Sequence, residues 1–479
     1  TTEIYTLSLH DALPICPGED AMTDTVERPG ACVDAAPLIA ELDFTGFRMR
    51  VDTRRYADPA WALAERERLW MRCWQVAGRE SDIPEAGDWM VHRLYDQSWI
   101  VVRGRDGVVR GFVNSCRHRG NALCTGRQGQ AARFTCPYHN WTYGLDGALL
   151  AVARPDFDGS LEEFVGDKAQ LGLVQVPVAC FGGFVFLNPD PSAAPLAEYL
   201  GEIGDLLAPY RMEEMVPFGR HVREALDCNW KVVMDAFQEG YHIQGVHPEL
   251  IPAMDESKER YLFFGDHSVA TAPFGAANMA DFGPEEQAAS IRTLPATFPG
   301  VAAVLPRFEE LLDGLRDGAG ALAFPPGTSG RSLLQQATRE VLESKGLDVS
   351  GLTDNQLSDN QFHLIFPNLF ITIRAGEATV ILSTPHPAGD PNRCHWQGMG
   401  LQWLPAAERA AATEPLNHVP EGEHFPYFLA LEQDWEMMQR QQDGLRNAGL
   451  KDMALTRQEV RLAWFHAVLD AWVTGSEQD

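Results

Sequence analysis

The sequence predicts an α+β protein of two successive units, the first all-β and the second mixed, and three observations carry that class. Between residues 74 and 189, short apolar segments alternate with Gly and Asp turns, the pattern of antiparallel strands. Beyond residue 217, long helical stretches and strand-like runs are mixed without the strand–helix alternation of a βαβ repeat. The chain has 479 residues, 45% of them hydrophobic, enough core for two or three domains at ~150 residues each.

The elements follow in chain order. Residues 1–21 read as a non-native leader from vector, assembly or sequencing read-through, with Met22 as the native start, and 22–56 as an N-terminal segment. A helix is expected over 57–74, opened by Asp58-Pro59 and carrying Trp61, Ala64, Leu69 and Trp70 as its apolar positions. It leads a first domain over 57–205, with strands at 99–103, 108–113 and 181–187 and hairpin signals at Asp106-Gly107 and Asp146-Gly147. A Pro-rich acidic passage over 189–217, with a short helix near 196–207, leads to a second domain over 206–479. That domain should hold helices at 229–241, 425–445 and 458–473 and strands at 363–373 and 378–383. Within it, 270–359 is a Gly-, Pro- and Ala-rich insertion with helical pieces near 308–315 and 332–347, either a cover over a binding site or a tolerated surface excursion.

The formal net charge is -28, from 39 basic and 67 acidic residues, so nucleic acid and a bilayer surface are poor partners. The charge serves solubility, or docking onto a basic patch of a redox partner. Nine cysteines, an odd number in a large chain, fit reduced thiols in a cytoplasm. No apolar run reaches the ~20 residues of a membrane span, and no basic segment precedes the first apolar residues as in a signal peptide.

Cys116 and His118 form Cys-x-His, and Cys136 and His139 form Cys-x-x-His after seventeen intervening residues. Two thiolates and two imidazoles are the ligand set that places both histidines on one iron of a [2Fe-2S] cluster, though the same four could hold a tetrahedral zinc. The first pair lies in Ser-Cys-Arg-His-Arg-Gly and the second in Cys-Pro-Tyr-His-Asn-Trp-Thr-Tyr-Gly-Leu-Asp-Gly, and this wording closely resembles the two cluster loops of Rieske proteins. Arg119, Tyr138 and Trp141 are candidates to surround and tune such a cluster, or simply to pack the loops.

A second constellation lies in Asn229-Trp-Lys and Glu239-x-Tyr-His242-x-x-x-x-His247. Two histidines and a carboxylate on one face of an iron leave the other positions open for dioxygen and substrate. Five residues apart on an unbroken helix, the histidines would diverge by ~140°, so a break is required, and Gly245 offers one.

Together the two motifs, in this order, resemble the ring-hydroxylating oxygenase alpha subunits of the Rieske non-haem iron family, over most of the chain from about Asp43 onward. The resemblance implies a Rieske [2Fe-2S] domain followed by a catalytic domain with a central antiparallel sheet of the helix-grip, START-like type. It implies a Rieske cluster at Cys116, His118, Cys136 and His139 and a mononuclear non-haem Fe(II) at His242, His247 and a carboxylate from a late helix. Asp434 matches that carboxylate best, with Glu432, Glu436 and Asp443 as local competitors. Glu239 and Asn229 take catalytic rather than ligand roles, Glu239 by accepting a hydrogen bond from an iron histidine and bridging to a cluster histidine of a neighbouring subunit. The family's usual residue at this position is Asp, and Glu here weakens any inference of a ring substrate.

Met234, Phe237, Gln238, Phe366, Leu369 and Ile371 are candidate pocket walls, each also an ordinary core residue. No Gly-x-Gly-x-x-Gly follows a strand, so electrons should come from a separate NAD(P)H reductase, with or without a ferredoxin. The resemblance further implies a homotrimer or an alpha/beta hetero-oligomer acting with O2 on a small aromatic or hydrophobic substrate. Oxidative demethylation or monooxygenation of a non-aromatic substrate is the alternative. Outside that class, a Rieske electron carrier and a zinc-stabilised binding protein stay open.

Overall fold

The structure is a computed structural model that describes residues 37–153, 167–251, 254, 258–273, 282–296 and 298–475. The expected leader, most of the N-terminal segment and the stretch 154–166 lie outside the described residues.

The first unit is all-β. A five-stranded sheet runs in the order Gln175–Val176, Val109–Val113, Gln97–Arg103, Asp88–Leu94, Gln128–Gln130, beside two three-stranded sheets. Both expected hairpins form, at Gly107 (φ +79°) and Gly147 (φ +84°). A Cβ at Gly147 would come 2.4 Å from the Phe112 ring, so space as well as backbone conformation requires glycine there. The single strand expected over 181–187 is instead a hairpin, Val178–Phe181 and Phe184–Leu187, reversed at Gly182 and Gly183, both at positive φ.

The second unit is built on an eight-stranded sheet. Its strands are β1 (Met215–Leu226), β2 (Arg260–Phe264), β3 (His267–Ala272), β4 (Asn360–Ile365), β5 (Leu369–Arg374), β6 (Glu377–Pro385), β7 (Cys394–Trp403) and β8 (Asn417–His418). They lie in the order β2-β3-β4-β5-β6-β7-β1-β8 and pair antiparallel, except that β8 runs parallel to β1. The strand expected over 363–373 is thus two strands, because the chain reverses at Phe366, Pro367 and Asn368. Four helices matter to the site: α1 (Trp230–Ala236), α2 (Ile243–Val246), α3 (Leu429–Leu445) and α4 (Val460–Thr474). On α4, Phe465 packs edge-on against Phe366 and Trp230, and Arg461 hydrogen-bonds to the backbone of β3 and β4, which ties the last helix across the sheet.

The leading helix joins the two units. Asp58 caps it by accepting from Ala60 N at 2.8 Å, and Pro59–Glu65 continues through a π turn at Arg66–Trp70. It packs on both units: Arg66 pairs with Asp96 and lies over the Tyr95 ring of the first, while Glu65 reaches into the second. The Glu65 carboxylate, 2% exposed, accepts from Lys231 Nζ at 2.6 Å and from Trp230 Nε1 at 2.9 Å, and Lys231 is 0% exposed. Neither charge survives such burial without the other, so helix and α1 are bound together. Strand Arg50–Asp52 likewise pairs with Asp452–Ala454 near the other end of the chain.

The insertion after β3 carries helices Pro284–Thr293, Leu305–Asp313, Gly330–Ser344 and Asp354–Ser358, with their own core around Phe308, Leu312 and Leu334. That core continues onto Ile243 and Phe362, so the insertion lies against the cavity described below. No helix among the described residues is long and apolar enough to cross a membrane.

Candidate metal centres

Asn229 caps α1, its side chain accepting from Lys231 N at 3.0 Å and donating to Tyr56 O (3.1 Å) and Pro391 O (2.7 Å). Of the two residues expected to be catalytic, Asn229 is thus placed as a cap and brace of α1 and is not among the residues that border the cavity described below. The helix expected over 229–241 ends at Ala236, and the chain turns before re-entering a helix at Ile243. The break therefore precedes His242, and Gly245 sits inside α2 rather than at the interruption. Helix α2 is a single turn with His242 and His247 at its two ends, and His247 (φ -123°, ψ 55°) has left the helical conformation, so the ~140° of an unbroken helix does not apply and the two rings stand 5.1 Å apart between centroids.

The third group comes from α3. Asp434 Oδ1 lies 2.9 Å from His247 Nε2 and 3.8 Å from His242 Nε2. Among the described residues this is the one group of three or more such donors whose ligand atoms lie within 4.8 Å of one another. The competitors turn elsewhere. Glu432 accepts from His424 Nε2 and Tyr427 N, while Glu436 pairs with Arg440 and Asp443 with Arg446 at the surface.

Each imidazole is also held from behind. Glu239 Oε1 accepts from His242 Nδ1 at 2.7 Å, and Gln433 Oε1 accepts from His247 Nδ1 at 2.8 Å. Both rings therefore present Nε2 to the Asp434 carboxylate, a donor set of two imidazoles and one carboxylate that fits a facial triad. Burial pulls the His242 pKa down, but the Glu239 hydrogen bond and the charges of Glu239, Asp434 and Glu259 outweigh it and the net displacement is upward. His247 behaves alike, with Asp434 the main counterweight to burial. A metal bound there would displace those protons. Gln433 escaped the sequence reading: its one signal is that a histidine presenting Nε2 needs an acceptor at Nδ1.

A cavity of about 150 Å³ opens beside the triad, between α1, α2, α3, the N-terminal end of α4 and the face of β4, β5 and β6. Phe237, Phe298, Phe362, Phe370 and Phe428 border it, with Gln238, Glu259 and Arg461 as polar neighbours. Of the six expected wall residues, Phe237 and Gln238 are there. Leu369 and Ile371 point to the opposite face of β5, into the core shared with the linking helices, and Phe370 and Thr372 face the cavity instead. Met234 and Phe366 are buried in the core beneath α1 and α4.

In the first unit, Cys116 and Cys136 are buried while His118 is exposed. The two histidine Nδ1 atoms stand 3.1 Å apart. Two neighbouring imidazole nitrogens and two buried thiols are the donor types a Rieske cluster takes. Trp141 stacks on His118 at 5.0 Å and 8° between planes, and the Arg119 guanidinium donates to the Tyr138 hydroxyl at 3.2 Å. The expected trio thus surrounds the loops. Tyr143, not singled out from sequence, accepts from Arg117 N at 3.0 Å and places its hydroxyl 3.2 Å from Cys116 Sγ, where it can donate to a thiolate.

Residues 212–475 match the family model of the ring hydroxylating alpha subunit (catalytic domain), and residues 73–162 match that of the Rieske [2Fe-2S] domain. The chain belongs to the ring-hydroxylating alpha-subunit family. The two matches imply a Rieske cluster and a mononuclear non-haem iron as its cofactors. Over 201 residues the chain is 37% identical to the glycine betaine monooxygenase oxygenase subunit of Chromohalobacter salexigens, covering 42% of this chain and 44% of that one. Over 221 residues it is 34% identical to biphenyl dioxygenase subunit alpha of Paraburkholderia xenovorans, covering 43% and 48%. The chain thus spans less than half the length of these curated relatives. Naphthalene 1,2-dioxygenase with indole bound superposes with a TM-score of 0.60 at 18% identity, over 89% of this chain and 93% of that one. A quaternary ammonium Rieske monooxygenase in complex with L-carnitine gives 0.59 at 16%, over 93% and 99%. At such identities these likenesses establish the fold.

Proposed function

We propose that the chain is the terminal oxygenase component of a Rieske oxygenase system, using O2 and externally supplied electrons to oxidise a small organic molecule in the cytoplasm. The observation that supports it most is the convergence of His242, His247 and Asp434 at the rim of a phenylalanine-lined cavity. In this reading Cys116, His118, Cys136 and His139 hold the cluster and the triad holds Fe(II), which when bound supplies one-electron chemistry and open positions for O2. The protein contributes the rest. Glu239 and Gln433 fix both ring tautomers, and the phenylalanines exclude water and orient the substrate.

Electrons would come from a separate NAD(P)H reductase, directly or through a ferredoxin, and pass between subunits of a trimer or an alpha/beta assembly. Two exposed aromatics favour such an interface: Tyr138 beside His139 is 56% exposed and Tyr241 beside His242 is 47% exposed.

For substrate, two classes stand side by side. The phenylalanine rings suit an aromatic or other hydrophobic body. The same rings, with Glu239, Glu259 and Asp434 on one cavity, would also hold a quaternary ammonium by cation–π and charge attraction, which favours monooxygenation and demethylation as the second reading. A substrate screen with a surrogate reductase, reading oxygen uptake and product mass together, separates one inserted oxygen from two. Absence of uptake with every aromatic and quaternary ammonium compound tried would overturn the oxygenase.

A further inference from the structure

Arg461 is the one arginine or lysine bordering the cavity among the described residues, and it is 1% exposed. Its Nε donates to Ser268 Oγ at 2.7 Å, and its Nη2 donates to Ser268 O (3.0 Å) and Phe362 O (2.8 Å). Nη1 makes no hydrogen bond to any described residue. The guanidinium carbon lies 5.4 Å from the centre of the Phe370 ring, itself a cavity wall, so the planar group is braced on the sheet with one nitrogen left over. A guanidinium nitrogen left unpaired beside a cavity is open to an acceptor on whatever the cavity holds. Gln238 also borders the same cavity: it is 1% exposed, and neither its amide oxygen nor its amide nitrogen is hydrogen-bonded to any described residue.

We propose that Arg461 anchors a carboxylate on the substrate, with Gln238 as a further polar contact, so that this cavity takes organic acids rather than hydrocarbons or simple amines. The inference rests on the oxygenase reading and narrows it. A guanidinium is the side chain best suited to a carboxylate, because it is planar, always charged and presents paired donors. Glu239, Glu259 and Asp434 are carboxylates on the same cavity and repel an anion, so among the described residues Arg461 is the one positive side chain there that can hold it. Either an aromatic acid or a betaine, which carries its carboxylate beside a quaternary ammonium, meets this requirement. Arg461 acts on position and specificity and takes no part in oxygen chemistry.

The test uses the holoprotein with both iron centres and two matched pairs of probes: benzoate against benzamide, and glycine betaine against its methyl ester. Binding is measured by calorimetry and turnover by oxygen uptake with a surrogate reductase. The acid of at least one pair should bind on the order of tenfold or more tighter than its neutral-headed partner. R461Q should abolish that preference, chiefly through KM, and R461K should retain part of it. Equal binding within both pairs, no binding of either acid, or a preference that survives in R461Q would each overturn the proposal. Because Arg461 also braces β3 and β4, R461Q could fail to fold, and the wild-type pairs then decide alone. The two readings fail separately. Oxygen uptake that favours the neutral probes upholds the oxygenase and sinks the carboxylate anchor, whereas an acid preference in binding with no uptake from any probe does the reverse.

Discussion

Glu239 does two things for His242: Oε1 accepts from the ring at 2.7 Å and Oε2 accepts from the backbone N–H at 3.1 Å, which locks both tautomer and ring position. A glutamate here, one methylene longer than the family's usual aspartate, still reaches its histidine. Glu239→Gln keeps the size and removes the charge, so both metals should stay bound while electron arrival at the triad slows. Single-turnover reoxidation of the reduced cluster checks this, and reoxidation at the wild-type rate would refute the role. At this scale the sequence was most informative where chemistry is strict. The cysteine and histidine positions stood out because few other roles call for those residues at that spacing, and Asp434 through the resemblance, whereas Asn229 shares their motif and caps and braces α1. Gln433 and Tyr143 went unseen because a hydrogen-bond acceptor or donor leaves no spacing signature.

Among the elements, α1 joins the metal site to the rest of the chain through the buried pair Glu65 and Lys231. Burial pulls the Lys231 pKa down and Glu65 opposes it, the balance of a cation held by its partner. Glu65→Ala should cost about 3–5 kcal/mol by leaving Lys231 uncompensated, and Glu65→Leu combined with Lys231→Met should recover much of that loss. Denaturant midpoints decide; a double variant no better than the single would show that the pair matters for more than charge. Strand faces were the poorest reading from sequence. In β5 Leu369, Ile371 and Ile373 alternate with Phe370, Thr372 and Arg374, but both sets are largely buried, so alternation gave no sign of which one meets the cavity. That two convergent histidines cannot share an unbroken helix was legible, but not that α2 would be a single turn with His242 and His247 at its two ends.

Across the whole molecule, the order of units was legible because each motif brings its own surroundings, hairpins for the cluster and a broken helix for the triad. The tie between the leading helix and α1 was not, since it depends on two charges 166 residues apart. Several histidines are buried uncharged, and this gives stability a pH dependence. Burial, aided by Arg461, lowers the His363 pKa to about 3, and burial, aided by Arg223, lowers that of His92 to about 4. The unfolded chain protonates these residues near pH 6.5 while the folded chain does not, so their contribution is complete above that value and is lost as pH falls toward the folded pKa values. Each should steepen the loss by up to ~1.4 kcal/mol per pH unit within its window. Urea midpoints should therefore drop between pH 7 and pH 5, and His363→Gln should flatten that slope; equal midpoints would contradict it.

The central claim, that electrons held at Cys116, His118, Cys136 and His139 are consumed at His242, His247 and Asp434, is tested most directly by exposing chemically reduced protein to O2 and substrate and following the cluster's absorbance. Wild type should reoxidise within a single turnover and release product, while Asp434→Ala, with its cluster intact, should stay reduced on that timescale. Reoxidation of Asp434→Ala as fast as wild type would contradict the account.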